Sequence, residues 1–271
     1  MRSINCKRIC FFLFLFALSA CKSSIKEQSD KVYSRHLQRH VDLTIISTRM
    51  PEEKSDMNLL LFNSGNEVKQ MDAKEIIDSL NKKKQIQPLI LVAIHGNEKE
   101  DYGMSNLAGP GNKGSKADKY NEFVMDELYP FIKKKTVIRK FNSIAICGNS
   151  LAGISALDIA WQNADKIDKI GIFSGDFAYA GRQDVNGDQP NAVLQEISSS
   201  RKRPKLAYWF YAAVNNDSSI SNNTKELIQI IDKKNTGSKA DIQFISDDNG
   251  NNDIISWRHY FAEFLLWAFA K

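Results

Sequence analysis

The segment Ser143-Ile144-Ala145-Ile146-Cys147-Gly148-Asn149-Ser150-Leu151-Ala152-Gly153 decides how the rest of the chain is read. Ser143 to Cys147 is a short apolar run of the kind expected for a strand buried on both faces. From Ile154 to about Asn163 the composition is helical, which leaves Gly148–Gly153 as a sharp strand-to-helix turn with a serine at its tip. Such a turn needs small neighbours, because the helix folds back close against the strand. The Leu151 N–H, at the start of the helix, would face any negative charge developing beside the Ser150 hydroxyl. The usual spacing is G-x-S-x-G; here Ala152 takes the fifth position and Gly153 follows it.

Strand and helix signals alternate on both sides of this turn. Val41–Ile46 alternates and is rich in β-branched residues, Met57–Phe62 ends at the turn cluster Asn63-Ser64-Gly65-Asn66, and Leu89–Ile94 is a continuous apolar run. Residues 72–84 and 116–134 have helical periodicity, with Tyr120, Phe123, Val124 and Leu128 on one face of the second. Ile167–Phe173, Leu206–Ala212 and Ile242–Ile245 continue the strand series, and a last helix runs over about 254–270. This order predicts an α/β fold: a mostly parallel central sheet, helices on both faces, and an antiparallel N-terminal edge made by the first two strands, which no helix separates. Residues 178–204 are the least regular part and read as a cap or insertion. The four tryptophans, Trp161, Trp209, Trp257 and Trp267, fall inside elements and read as core.

The first twenty residues read as an address. Arg2, Lys7 and Arg8 form a charged start, and Ile9 to Leu18 is an apolar stretch too short to span a bilayer as a stable helix. Leu18-Ser19-Ala20-Cys21 then looks like a bacterial lipobox, which implies cleavage before Cys21 and its diacylation. Residues 21–39 read as a polar tether and 40–271 as one domain. With Cys6 and Cys10 removed and Cys21 lipidated, only Cys147 remains, so neither an intrachain disulfide nor a Cys-rich metal site is expected. The whole chain carries 37 Lys and Arg against 32 Asp and Glu; without the leader the balance is 34 against 32, too even to argue for a nucleic-acid partner. The runs Lys82-Lys83-Lys84, Lys133-Lys134-Lys135 and Arg201-Lys202-Arg203 read as solvated helix ends and loop faces.

With these segments in view, the chain resembles the esterase family of α/β-hydrolases that includes esterase D-like, enterochelin esterase-like and feruloyl esterase-like enzymes. The resemblance rests on Leu59–Gly65, Leu91–His95, Asp101-Tyr102-Gly103, Gly148–Gly153, Ser155–Trp161, Phe173-Ser174-Gly175 and the closing Trp257-Arg258 helix. It implies hydrolysis of a small carboxylic ester through an acyl-Ser150 intermediate, without a cofactor. One oxyanion donor would be Leu151, and the second would lie in the loop around His95 and Gly96. The family places an acid after the strand Leu206–Ala212, where this chain reads Ala213-Val214-Asn215-Asn216-Asp217; ungapped counting puts Asn216 in the acid's place and Asp217 one residue late. The family's histidine precedes the tryptophan of the last helix by five residues, and five before Trp257 is Asn252.

An asparagine amide has no lone pair basic enough to take the serine proton. Of the four histidines, His36 and His40 read as solvated surface, His259 lies in the first turns of the last helix, and His95 reads as a loop anchor near the site. Two functions therefore stand: a serine esterase that depends on an unexpected base, or a non-catalytic relative that keeps the pocket for a ligand or offers its surface to a partner. Two oxygen-rich stretches, Asp184–Asp188 and Asp247–Asp253, read as solvated turns, since Gly187 is one place early for a calcium loop and Gln195 stands where its closing Glu belongs.

Overall fold

The computed structural model describes residues 25–49, 56–108, 113–177, 191–215, 218–235 and 240–271. Eight strands form one sheet: β1 (Lys26–Ser34), β2 (Arg39–Ser47), β3 (Asn58–Phe62), β4 (Leu89–His95), β5 (Ile144–Asn149), β6 (Lys169–Phe173), β7 (Ala207–Ala213) and β8 (Asp241–Asp247). Their spatial order is β1-β2-β4-β3-β5-β6-β7-β8. β1 and β2 run antiparallel to each other, as do β2 and β4, and every later pairing is parallel. The fold class is as expected, but the antiparallel edge is built differently. β3 does not pair with β2; it lies inside the sheet between β4 and β5, and β1 takes the edge.

That edge strand falls within the stretch read as a tether. Its sequence, Lys-Glu-Gln-Ser-Asp-Lys-Val-Tyr-Ser, is mostly exposed and polar, which hides it from a hydrophobicity pattern. An edge strand needs only one neighbour for its backbone, and its charges find partners here: Lys31 with Asp42 at 3.1 Å, Asp30 with Lys135 at 2.6 Å and Glu27 with Lys74 at 2.9 Å. A charged rim of this kind also blocks pairing with another sheet.

Alternate residues of the strands feed two cores, one on each face of the sheet. Leu59, Leu61, Ile90, Val92, Ile146 and Ile172 meet α4 (Ser150–Gln162) and a long helix that begins as α2 (Ala117–Glu122), passes through a π-helical turn at Phe123–Leu128 and ends as α3 (Tyr129–Thr136). Leu60, Phe62, Leu91, Cys147, Phe173 and Trp209 face the other way, toward α1 (Ala73–Lys82) and α7 (Ile254–Phe269). α5 (Ala192–Ser199) and α6 (Ser219–Lys234) pack on the first face. α5 lies in the segment read as a cap, and α6 joins two strands between which the sequence reading names no helix. Among the described residues no helix is long and apolar enough to cross a membrane.

Candidate active site

β5 delivers Ser150 to the C-terminal edge of the sheet and α4 starts at Ser150 itself. The Ser150 backbone has φ +46°, a left-handed conformation that a non-glycine residue adopts only under constraint. The constraint is the close return of the helix. A Cβ on Gly148 would stand 2.6 Å from the Ala152 backbone, so glycine is required where strand and helix touch. The first N–H groups of α4 have no partner inside the helix, and Leu151 and Ala152 line a pocket of about 300 Å³ together with Ser150.

The loop beside this elbow is the one after β3, because β3 and β5 are neighbours with Phe62 opposite Cys147. Ser64, Asn66 and Glu67 form that wall of the pocket. Three contacts lock the loop to the elbow: the Ser64 hydroxyl donates to Asn149 Oδ1, the Asn149 N–H donates back to Ser64 Oγ at 3.1 Å, and Asn149 Nδ2 donates to a Glu67 carboxylate oxygen. Asn63 adds a further tie, donating through Nδ2 to the Ala152 carbonyl at 3.3 Å while accepting from the Tyr102 hydroxyl on its own carbonyl and the Tyr120 hydroxyl on Oδ1. Burial pushes the half-buried Glu67 carboxyl above its ordinary range, against the opposing hydrogen bond from Asn149. The sequence shows Asn63–Asn66 only as a turn; that it abuts Ser150 follows from strand order.

His95 and Gly96, read as the source of the second oxyanion donor, stand one strand further away and are not walls of this pocket. The Gly96 N–H already donates to the Ile94 carbonyl at 3.0 Å. Both His95 ring nitrogens are engaged, Nε2 with the Thr44 hydroxyl at 2.9 Å and Nδ1 with Asn66 Oδ1 at 3.2 Å, and burial lowers its proton affinity. His95 is a loop anchor. The loop that carries Asn66 and Glu67 shares the pocket wall with Leu151, as do Glu98 and Lys99 from the loop after β4.

The other histidines are spent elsewhere. His36 pairs with Glu122 at 2.9 Å, His40 packs edge-on to Tyr33, and the exposed His259 packs edge-on to Tyr260. Asn252 does not line the Ser150 pocket. Its amide pairs with the backbone at the end of β7, accepting from the Ala213 N–H at 3.0 Å and donating to the Ala213 carbonyl at 3.4 Å. The loop bearing it is fixed by Asp247, whose carboxylate accepts from the Asn249 and Gly250 N–H groups and from the Tyr211 and Tyr260 hydroxyls. Burial works to raise the Asp247 pKa, but these donors outweigh it and hold the carboxyl below its usual range. Asn216, Asp217, Cys21 and the Asp184–Asp188 stretch lie outside the described residues.

Glu98, Lys99, Lys113, Tyr102 and Trp257 complete the lining; the first three were not singled out in the sequence, and the Trp257 indole N–H donates to Ser174 Oγ at 2.9 Å. Ser174, like Ser150, has a positive φ, +51°. Among the described residues no cluster of His, Cys, Asp and Glu is arranged to hold a metal ion.

A backbone of this shape occurs in several solved structures. The enterobactin esterase of Shigella flexneri, solved with 2,3-Di-hydroxy-N-benzoyl-glycine, superposes with a TM-score of 0.70 at 17% identity over 89% of this chain, which spans only 59% of that protein's length. A ferulic acid esterase superposes with a TM-score of 0.69 at 18% identity, covering 90% of this chain and 97% of the other. The BES protein from Bacillus cereus covers both chains fully, with a TM-score of 0.63 and 15% identity. These likenesses establish the fold. No curated protein matches the sequence. The family model described as "Putative esterase" matches residues 36–268, nearly the whole folded part. A serine elbow in its expected strand-to-helix setting, the strand order around it and that match agree, and the chain belongs to the esterase family of α/β-hydrolases.

Proposed function

We propose that the chain binds a small ester or ester-like ligand in the Ser150 pocket and turns it over slowly at best, with its lipid anchor holding it in a bacterial envelope. One observation carries this reading: no histidine lines the pocket, and Asn252, at the family's histidine position, spends its amide on Ala213. Without an imidazole the serine proton has no efficient acceptor, while the elbow and the helix N-terminus keep a pocket suited to a carbonyl oxygen. The expected outcome with a fluorophosphonate probe is weak or absent labelling of Ser150. Rapid stoichiometric labelling would overturn the reading.

One specific observation favours a second reading, an active esterase with a substitute base. Glu67 is a half-buried carboxylate on the pocket wall whose proton affinity burial raises. If it accepts the Ser150 proton, Glu67→Gln abolishes turnover while leaving the Asn149 contact in place. The anchor is tested separately: growth with labelled fatty acid should mark the wild-type chain and not Cys21→Ser.

A further inference from the structure

The three basic runs are far apart in sequence, yet topology gathers them at one end of the molecule. Lys82-Lys83-Lys84 closes α1 and leads into β4, Lys133-Lys134-Lys135 closes α3 ahead of β5, and Arg201-Lys202-Arg203 leads into β7. In a parallel sheet every helix returns the chain to the strand starts. All three runs therefore sit at the N-terminal ends of strands that lie side by side in the order β4-β3-β5-β6-β7. Four strand spacings make this row roughly 20 Å wide. The run before β7 is tied to the helix ends around it: the Lys202 ammonium donates to the Gln162 carbonyl at 3.4 Å, and the Lys234 ammonium donates to the Ser200 carbonyl at 2.6 Å. Except for the half-buried Lys133, the residues of the three runs are exposed.

Acids stand at that end too and are partly occupied: Asp78 pairs with Lys82 at 2.7 Å and Asp30 with Lys135 at 2.6 Å. Asp168, between α4 and β6, accepts from the Ile144 N–H at 2.8 Å and the Ser143 hydroxyl at 3.2 Å. Acidic groups also stand at the opposite end, with Glu67 and Glu98 on the pocket wall and Asp247 closing β8. The pocket end is mixed, with Lys99 and Lys113 beside Glu67 and Glu98, whereas the end where the strands start carries the three basic runs.

β1 shows where the chain enters. Lys26 pairs with Ser47 and Ser47 with Ile90, so β1 begins at the same end as the three basic runs. Only Lys22, Ser23 and Ser24 separate Cys21 from Ile25, and four fully extended residue spacings reach at most about 14 Å. A lipid on Cys21 would hold the basic end close to the membrane, within less than two screening lengths in physiological salt, each about 8 Å.

We propose that the basic end of the sheet, formed by these three runs, is a docking face for an anionic phospholipid surface, and that it turns the Ser150 pocket away from the membrane toward the aqueous side. The anchor serves only to choose the partner; the face binds through charge and needs neither acylation nor catalysis. Each Lys or Arg held near such a surface strengthens binding by about fivefold.

The test uses the full chain carrying Cys21→Ser, so that no acyl group contributes, and co-sedimentation with two kinds of vesicle. One is phosphatidylcholine alone; the other contains about one-third phosphatidylglycerol. The leader is the same in every variant, so differences among variants report the folded domain. The expected result is selective binding to the anionic vesicles that weakens as salt rises. Lys83→Gln with Lys84→Gln, Lys133→Gln with Lys134→Gln, and Arg201→Gln with Lys202→Gln should each lower partitioning by about tenfold or more, with unchanged circular dichroism. Equal binding to both vesicles overturns the proposal, as does a loss confined to one run. Tighter binding to duplex DNA at equal phosphate concentration would assign the face to a different partner and also overturn it. Failure here leaves the fatty-acid labelling of Cys21 and the Ser150 reading untouched, since they have their own readouts.

Discussion

Ser150 stores strain that its own side chain does not relieve. A left-handed backbone at a non-glycine residue costs about 1–3 kcal/mol, and here it is imposed by the contact of Gly148 with Ala152. Ser150→Gly should therefore raise the free energy of unfolding by about 1 kcal/mol in denaturant titrations, whereas Ser150→Ala, which keeps a Cβ, should not. No gain from glycine would mean that the elbow is relaxed. Asn252 presents the opposite case, a residue whose position is legible from its distance to Trp257 but whose contacts are not. Its amide matches the donor and acceptor of Ala213, which an imidazole cannot do on both sides. Asn252→His should restore esterase turnover only modestly, and Asn252→His with Asn216→Asp should exceed the sum of the single changes, because triad members act as a unit. If Asp217 instead reaches the acid position, Asn252→His alone should recover most of the gain. Absence of any gain in folded variants would show either that the counted register is wrong or that the pocket has lost more than its base.

At the scale of elements, the buried strands and amphipathic helices were legible because their apolar periodicity is strong. Leu89–Ile94, Ser143–Cys147 and the Ile76, Ile77, Leu80 stripe all emerge where the pattern places them. The pattern fails where pairing does not depend on apolar burial. β1 is held by its backbone and by ion pairs at a sheet edge, and nothing in its composition announces this. Position within the sheet is equally silent: β3 looks like a partner for β2, yet its all-buried residues fit only the interior, and that placement puts Ser64, Asn66 and Glu67 rather than His95 on the wall of the Ser150 pocket. One part-buried ion pair links the edge to the site. Arg39 of β2 reaches the fully buried Asp101, which also accepts the Asn97 N–H at 2.7 Å and precedes the pocket residue Tyr102. Arg39→Met should cost about 3–5 kcal/mol, since it strands a buried carboxylate. Burial already raises the Asp101 pKa above its ordinary 3.8, and losing Arg39 should raise it further. A carboxyl with a raised folded-state pKa favours the folded state below its unfolded pKa and loses that advantage as pH rises. The gap between wild type and variant in denaturant titrations should therefore narrow as pH falls toward 4; a pH-independent gap would mean that the arginine acts through packing alone.

For the whole molecule, the family and the sheet follow from sequence because a run of local signals agrees on one topology. The gathering of the three basic runs does not, because it is created by the return of every helix to the same end. The proposal concerns chemistry: a serine elbow of the esterase kind kept without the imidazole that would drive it. Turnover of a short-chain aryl ester by wild type and Ser150→Ala tests it most directly. The expected result is a very slow wild-type rate that falls little in Ser150→Ala. A wild-type rate on the order of 10 s⁻¹ that vanishes in Ser150→Ala would contradict it and show that another group takes the serine proton.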